Sequence, residues 1–267
     1  LDCRDGREGG SEVLFGVHKW IIPCNWKFAA ENFLGDTYHN VSHRSVDLIG
    51  IGPSAEAGVK GRRDNEMEKA QHVWANFPAG HGVHSAIMPQ DWEFLNTYQN
   101  NPVVAEYFRE AHAKRKERLG AERHRLIPFV GTIWPNTSFH GNQPRNLCVW
   151  HPHGPESTEA WRFFLVDADA PQEVKDFLRI YYMRYSGPAG MTEQDDMENW
   201  NYATAGSRGV IARRYPFNYQ QSLGKVSTDA PVPGNVSVQV SEENPRQFYR
   251  RWRDYMNGAD WDTLLGR

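Results

Sequence analysis

From Ser11 to Trp26 apolar and polar residues alternate (SEVLFGVHKWIIPCNW) and then meet a proline, which predicts one or two half-buried strands leading into a helix. The period then changes. NWKFAAENFLGDTYHNVSH, Asn25 to His43, reads as one helix. At about 100° per residue, Asn32, Asp36, His39 and His43 would fall within about 60° of one face. Further on, AQHVWANFPAGHGVHSAIM predicts two strands around a Pro-Gly turn. NPVVAEYFREAHAKRKERLG predicts a helix capped by Asn100 or Asn101, with Pro102 in its first turn and Gly120 at its end. Three strands follow in RLIPFVGTIWP, RNLCVWHPHG and EAWRFFLVDAD. Helices are predicted in APQEVKDFLRIYYMRY, EQDDMENWNYATAG and SEENPRQFYRRWRDYMNG. The Gly-rich stretch VDLIGIGPSAEAGVKGRRDNE has neither period and reads as a long loop of the kind usually kept for function. Strands mixed irregularly with helices, some adjacent in sequence, predict an α+β fold with an antiparallel sheet. Nothing resembles a linker, so residues 1–267 read as a single domain.

Composition narrows the function classes. With 39% hydrophobic and 13% aromatic residues, including ten tryptophans, the chain can build a large core. The net charge is −3 with signs interspersed, so no basic stripe points to nucleic acid. The dense cluster AHAKRKERLGAERHR is expected to be a solvated helix face. No apolar run approaches the roughly 18 residues of a membrane span, and no signal peptide is expected. Three widely spaced cysteines (Cys3, Cys24, Cys148) fit reduced thiols and predict a cytoplasmic protein.

The polar stripe sits among Trp26, Phe28, Phe33, Leu34 and Tyr38, where a charge and two imidazoles must be paired, hydrated or bound. A metal is one partner, since histidines four apart can reach one ion. Among eleven histidines such a pair also arises by chance. Zinc hydrolysis would need a glutamate after the first histidine, and Asn40 stands there. Two histidines with a distant carboxylate would instead form the facial triad of a non-haem Fe(II) oxygenase, with open positions opposite. The carboxylate candidates are Asp195 and Asp196 in GPAGMTEQDDMENW; the alternative is that, together with Glu193, they simply form an acidic helix start.

The two motifs together, with WHPHGPESTEAWRFFLVDADAP between them, resemble the large (α) subunit of Rieske-type aromatic-ring-hydroxylating dioxygenases, nearest the biphenyl, naphthalene and polycyclic-hydrocarbon group. The likeness covers nearly the whole chain. It implies a helix-grip type of fold and a mononuclear Fe(II) held by His39, His43 and Asp196. It also implies a second-shell, electron-transferring role for Asp36, which would bridge to the Rieske domain of a neighbouring subunit. Pocket-lining positions in the family match Asn32, Phe33, His140, Ser186 and Met191. The implied reaction is cis-dihydroxylation of an aromatic hydrocarbon ring by dioxygen. Electrons would come from NAD(P)H through a reductase, often a ferredoxin, and a Rieske [2Fe-2S] cluster. An α3 or α3β3 oligomer with a small β subunit is implied too.

One departure bears on the domain plan. A Rieske domain holds its cluster with Cys-x-His and Cys-x2-His. Only Cys148 and His151 show the second spacing, inside a predicted strand, and no Cys-x-His occurs. The N-terminal Rieske domain is thus expected to lie outside this chain, whose polar, Met-less start reads as the cut edge of something longer. Two rivals remain at this stage. A Rieske monooxygenase or demethylase acting on an aromatic acid would want a fixed cation near the iron, and no Arg or Lys is expected there beside the ligands. A helix-grip binding module without chemistry would have no use for the triad.

Overall fold

The computed structural model describes residues 9–36, 38–49, 70–90, 98, 100–142, 144–227, 229, 234–237 and 240–265. Among the described residues, nine strands form one antiparallel sheet in the order β1-β7-β6-β5-β4-β3-β2-β9-β8. They are β1 (Ser11–Ile22), β2 (Gln71–Asn76), β3 (Gly82–Ile87), β4 (Leu126–Ile133), β5 (Thr137–His140), β6 (Asn146–Pro152), β7 (Thr158–Asp167), β8 (Val226–Ser227) and β9 (Asn235–Ser237). The helices are α1 (Trp26–Asn32), α2 (Arg44–Leu48), α3 (Pro102–Arg123), α4 (Gln172–Tyr185), α5 (Met191–Ser207), α6 (Glu243–Met256) and α7 (Trp261–Leu265). The expected α+β architecture is therefore the one observed, an antiparallel sheet wrapped by helices.

Every predicted strand is present, and β5, in NTSFHGN, β8 and β9 are extra ones too short to show a period. Helix α3 is capped as its sequence predicts: the Asn101 side chain accepts from Val104 N, with Pro102 at the first helical position. Gly120, at φ 74°, kinks the chain there, and one more turn continues to Arg123. The charged cluster on α3 is mostly solvated. Arg115 is the exception, buried and donating to the carbonyls of His124 and Leu126. Of the predicted long loop, Val46–Leu48 belongs to α2 instead, and residues 50–69 lie outside the described residues.

The single helix expected from Asn25 to His43 does not form. α1 ends at Asn32, and after a turn the chain enters a short 3-10 helix, Tyr38–His43, that runs into α2. The break is at Gly35, which sits at φ 113° in the left-handed region that glycine tolerates. A Cβ there would lie 2.5 Å from Trp74 Nε1. That indole donates to the Gly35 carbonyl at 2.6 Å, while Asn244 Nδ2 of α6 donates to Leu34 O at 2.8 Å. Strand β2 and helix α6 thus hold the turn, and tertiary hydrogen bonds override helical periodicity.

Two cores flank the site. Ala29, Ala30, Phe33, Leu34, Trp150, Ala160, Trp200 and Phe248 pack α1, α5 and α6 onto the sheet. Val104, Phe164, Val174, Leu178, Tyr181, Tyr182 and Tyr185 pack α3 and α4 onto β7. No described helix is long and apolar enough to cross a membrane.

Candidate metal centre

The 3-10 segment presents His39 and His43, and the second turn of α5 presents Asp196, so that ligand atoms of all three lie within 4.8 Å of one another. His39 Nε2 and His43 Nε2 are 3.1 Å apart, and Asp196 Oδ1 is 3.3 Å from each. These separations suit ligands about 2.1 Å from one ion, lying between the roughly 3.0 Å of an octahedral edge and the roughly 3.4 Å of a tetrahedral one. Asp196 Oδ1 is buried without a hydrogen-bond partner, which is costly for a carboxylate oxygen unless a cation satisfies it.

Both imidazoles are held by their far nitrogens. His39 Nδ1 contacts the Asp36 backbone carbonyl, and His43 Nδ1 lies 3.1 Å from Asp195 Oδ2. When each Nδ1–H donates to those oxygens, Nε2 carries the lone pair, and both lone pairs face the centre. Burial pushes His39 down, but the nearby Asp196 and Asp36 carboxylates outweigh it and hold the ring up at about 10. Burial likewise pushes Asp196 up, yet the two histidines hold its carboxyl far below the usual range. Protons and a metal would therefore compete for the same three atoms. The donor set fits iron.

Asp36 stands at the rim, its side chain 23% exposed, and its Oδ1 accepts from His39 N at 3.3 Å. Asn32 Nδ2 lies 3.4 Å from His39 Nδ1, and Asn32 Oδ1 accepts from Trp200 Nε1 at 3.0 Å. Phe33 is buried, its ring edge-on to His140 at 5.1 Å and tilted on Trp150 at 5.6 Å. Ser186 and Met191 stand at the two ends of the turn that launches α5, Ser186 buried and Met191 half-buried. A separate groove of about 530 Å³, bordered by Ile21, Pro23, Met197 and Tyr202, contains none of these residues.

Three features escaped the sequence reading. Asp195 is a partner of His43 and not a passive neighbour of Asp196. Trp74 reaches the ligand segment from β2. A buried cation is present after all: Arg162 Nη2 donates to Glu193 Oε1 at 2.8 Å, one helical turn before Asp196. Burial pushes the Glu193 carboxyl up to about 7 even though Arg162 opposes the shift. A signal for Arg162 existed, because it occupies an inward position in the alternation Thr158, Ala160, Arg162, Phe164.

Residues 8–258 match the family described as ring hydroxylating alpha subunit (catalytic domain). The biphenyl 2,3-dioxygenase subunit alpha of Rhodococcus jostii (strain RHA1) is 38% identical over 276 residues, covering 97% of this chain and 56% of that one. A benzene 1,2-dioxygenase subunit alpha of Pseudomonas putida is 37% identical over 269 residues, covering 97% of this chain and 58% of its own length. Among solved structures, naphthalene 1,2-dioxygenase from Rhodococcus sp. bound to indole superposes with a TM-score of 0.74 at 28% identity, over 96% of this chain and 59% of that chain. The chain thus spans somewhat more than half the length of the relatives it matches. It belongs to the ring-hydroxylating α-subunit family and corresponds to that family's catalytic domain.

Proposed function

We propose that His39, His43 and Asp196 hold one Fe(II), and that the protein to which this chain belongs dihydroxylates an aromatic hydrocarbon ring. The relatives named above are dioxygenase α subunits for biphenyl and benzene, which supports this substrate class. The observation that carries the reading is the triangle of two Nε2 atoms and one buried, unpartnered carboxylate oxygen. Bound there, iron supplies the redox centre that dioxygen needs, because ground-state dioxygen reacts slowly with closed-shell arenes.

The chain's own residues do the rest. Asp36 and Asp195 fix the ring orientations and keep Nε2 of each histidine turned inward. Asn32, tied to Trp200, packs beside His39 from the α1 side. Phe33, His140, Ser186 and Met191 are assigned to a flat, apolar, water-excluding pocket for the ring. Asp36, ordered and partly exposed, is assigned the electron route from a Rieske [2Fe-2S] cluster on a neighbouring subunit, fed from NAD(P)H by a reductase or ferredoxin. That bridge calls for an α3 or α3β3 assembly. The free buried thiols Cys24 and Cys148 support a cytoplasmic setting.

Anaerobic loading with Fe(II) followed by metal analysis tests the centre. One iron per chain is expected, and an unchanged stoichiometry in Asp196→Ala would overturn the assignment. In the longer protein carrying its cluster, Asp36→Ala should keep iron and lose most turnover. Loss of iron as complete as in His39→Ala would make Asp36 a ligand or a structural residue instead.

A further inference from the structure

We propose that Glu31 stores at its carboxyl the proton that accompanies each electron reaching the centre along Asp36. The inference rests on the oxygenase reading above and adds the proton supply that such a reaction needs. Glu31 stands in the last turn of α1, next to Asn32. Its Oε2 accepts two hydrogen bonds at once, from Tyr249 OH of α6 at 2.6 Å and from Tyr219 OH at 2.9 Å. Among the described residues no hydrogen bond reaches Oε1, which leaves that oxygen for a proton. No cation balances the group. Lys27, one turn earlier on α1, lays its ammonium over the Trp26 and Trp252 rings. Arg246 of α6 donates to Glu243 and to the carbonyls of Tyr219 and Gln221, and Arg250 faces Glu243. The charges that act on Glu31 are those of Asp36 and Glu242, both negative. Tyr38, 45% exposed, hydrogen-bonds Glu242 and places a solvent-facing hydroxyl in the same group.

A carboxyl sheltered from water, without a cation and near two other carboxylates, holds its proton above the usual range. Burial is the largest cause and pushes Glu31 up to about 7, while the two phenols oppose it by supporting the carboxylate. The group is therefore close to half-loaded at neutral pH, where a proton is given and regained without a large free-energy step. The reaction adds dioxygen, two electrons and two protons to the arene to give the cis-dihydrodiol. The electrons come from NAD(P)H by the route assigned to Asp36, and solvent supplies the protons. Each electron passing Asp36 adds negative charge beside Glu31 and strengthens its hold on a proton. Once the electron has moved on, that hold relaxes and the proton follows. Glu31 is left as the carboxylate and refills from solvent at the rim where Tyr38 and Glu242 stand. A purely structural Glu31 would only tie α1 to Tyr249 and Tyr219. Glutamine would do that equally well, since its amide oxygen accepts the same two phenols.

Two measurements test this. Infrared titration of the chain itself should show a protonated-carboxyl stretch that vanishes with a midpoint near pH 7 and is missing from Glu31→Gln. A spectrum unchanged in Glu31→Gln, or a lost component with its midpoint below about pH 5.5, overturns the proposal. In the longer protein carrying its cluster, wild-type turnover should fall as pH rises through about 7, where Glu31 empties. Glu31→Gln should keep one iron per chain, lose about tenfold or more in turnover, and no longer show that fall. Tyr249→Phe removes a donor that favours the carboxylate, so the fall should move up by about half a pH unit or more. Turnover and pH profile equal to wild type in Glu31→Gln overturn the proposal. Iron lost together with turnover does so too, since Glu31 is then structural. Should Glu31→Gln fail to fold by circular dichroism, Tyr249→Phe decides the matter, and an unmoved fall overturns the proposal. A wild-type protein that binds no iron, or oxidises none of biphenyl, naphthalene and benzene, overturns the oxygenase reading itself and this proposal with it.

Discussion

Two histidine pairs in this molecule have nearly the same nitrogen separation and opposite character. His39 and His43 meet at 3.1 Å with their rings at 84°, so both Nε2 edges turn to a common point where Asp196 stands. His72 and His84, on the paired strands β2 and β3, approach to 3.0 Å with rings stacked at 26°. His84 also stacks on Trp74, with centroids 4.4 Å apart and planes 13° apart. Burial, with a smaller push from His72, drives His84 down to about 3, so it is neutral at ordinary pH. Among the described residues only the first pair gathers a third ligand. Separation alone does not make a metal centre; a carboxylate and converging lone pairs do.

The widest gap between the pairs should appear in metal content. His39→Ala, His43→Ala and Asp196→Ala should each reduce bound Fe(II) from one per chain to below a tenth by elemental analysis, whereas His72→Gln should leave it near one. Equal losses would erase the distinction. Next in size is the anchor that links the regions. Gly35→Ala adds a Cβ at φ 113° against the Trp74 ring, and urea unfolding should show a loss of about 3 kcal/mol. A change under about 0.5 kcal/mol would show that Trp74 does not hold the ligand segment.

A finer test separates a ligand from its support. Asp195→Asn keeps the three ligands but weakens the hold on His43 Nδ1, so iron affinity should drop roughly 10- to 100-fold without being abolished. The smallest effect concerns pH. His84 has its folded value lowered from 6.5 to about 3, so the unfolded chain binds the extra proton in that interval. Stability from this group is full above about pH 6.5 and falls with acidification, by at most about 1.4 kcal/mol per pH unit. Urea midpoints measured from pH 7 down to 5 should decline less steeply in His84→Gln than in the wild-type chain.

The strands β1 to β4, β6 and β7 were legible because alternation and turn residues agree with the fold, as in VWAN and SAIM either side of PAGHG. The caps Asn101 and Pro102 were legible for the same reason. The ligand residue types were legible too, but their geometry was not. Helical spacing placed Asn32, Asp36, His39 and His43 on one stripe, whereas the bend at Gly35 sets the histidines, and Gly35 is bent by an indole 39 residues away. Asp195 and Asp196 were told apart only by resemblance, since adjacent carboxylates look alike until α5 is packed against the 3-10 segment. Arg162 shows the limit in another way: it broke the apolar face of β7 visibly, but its partner Glu193 is 31 residues on and read as an ordinary helix start.

His43 and its supporting Asp195 are 152 residues apart in the chain. One half of the centre is pinned to β2 through Trp74, and the other to β7 through the Arg162–Glu193 bond. The strands from β7 to β2 must all be zipped before the two halves meet. Under the proposed function, iron capture would be coupled to completion of the sheet, since closing so long a loop early is entropically uphill and gains nothing until both anchors are in place. A half-folded chain emerging from synthesis offers at most two adjacent histidines, a weak trap for a redox-active ion. Only the finished sheet brings His39, His43 and Asp196 together, so under the proposed function iron would be held tightly only once folding is complete.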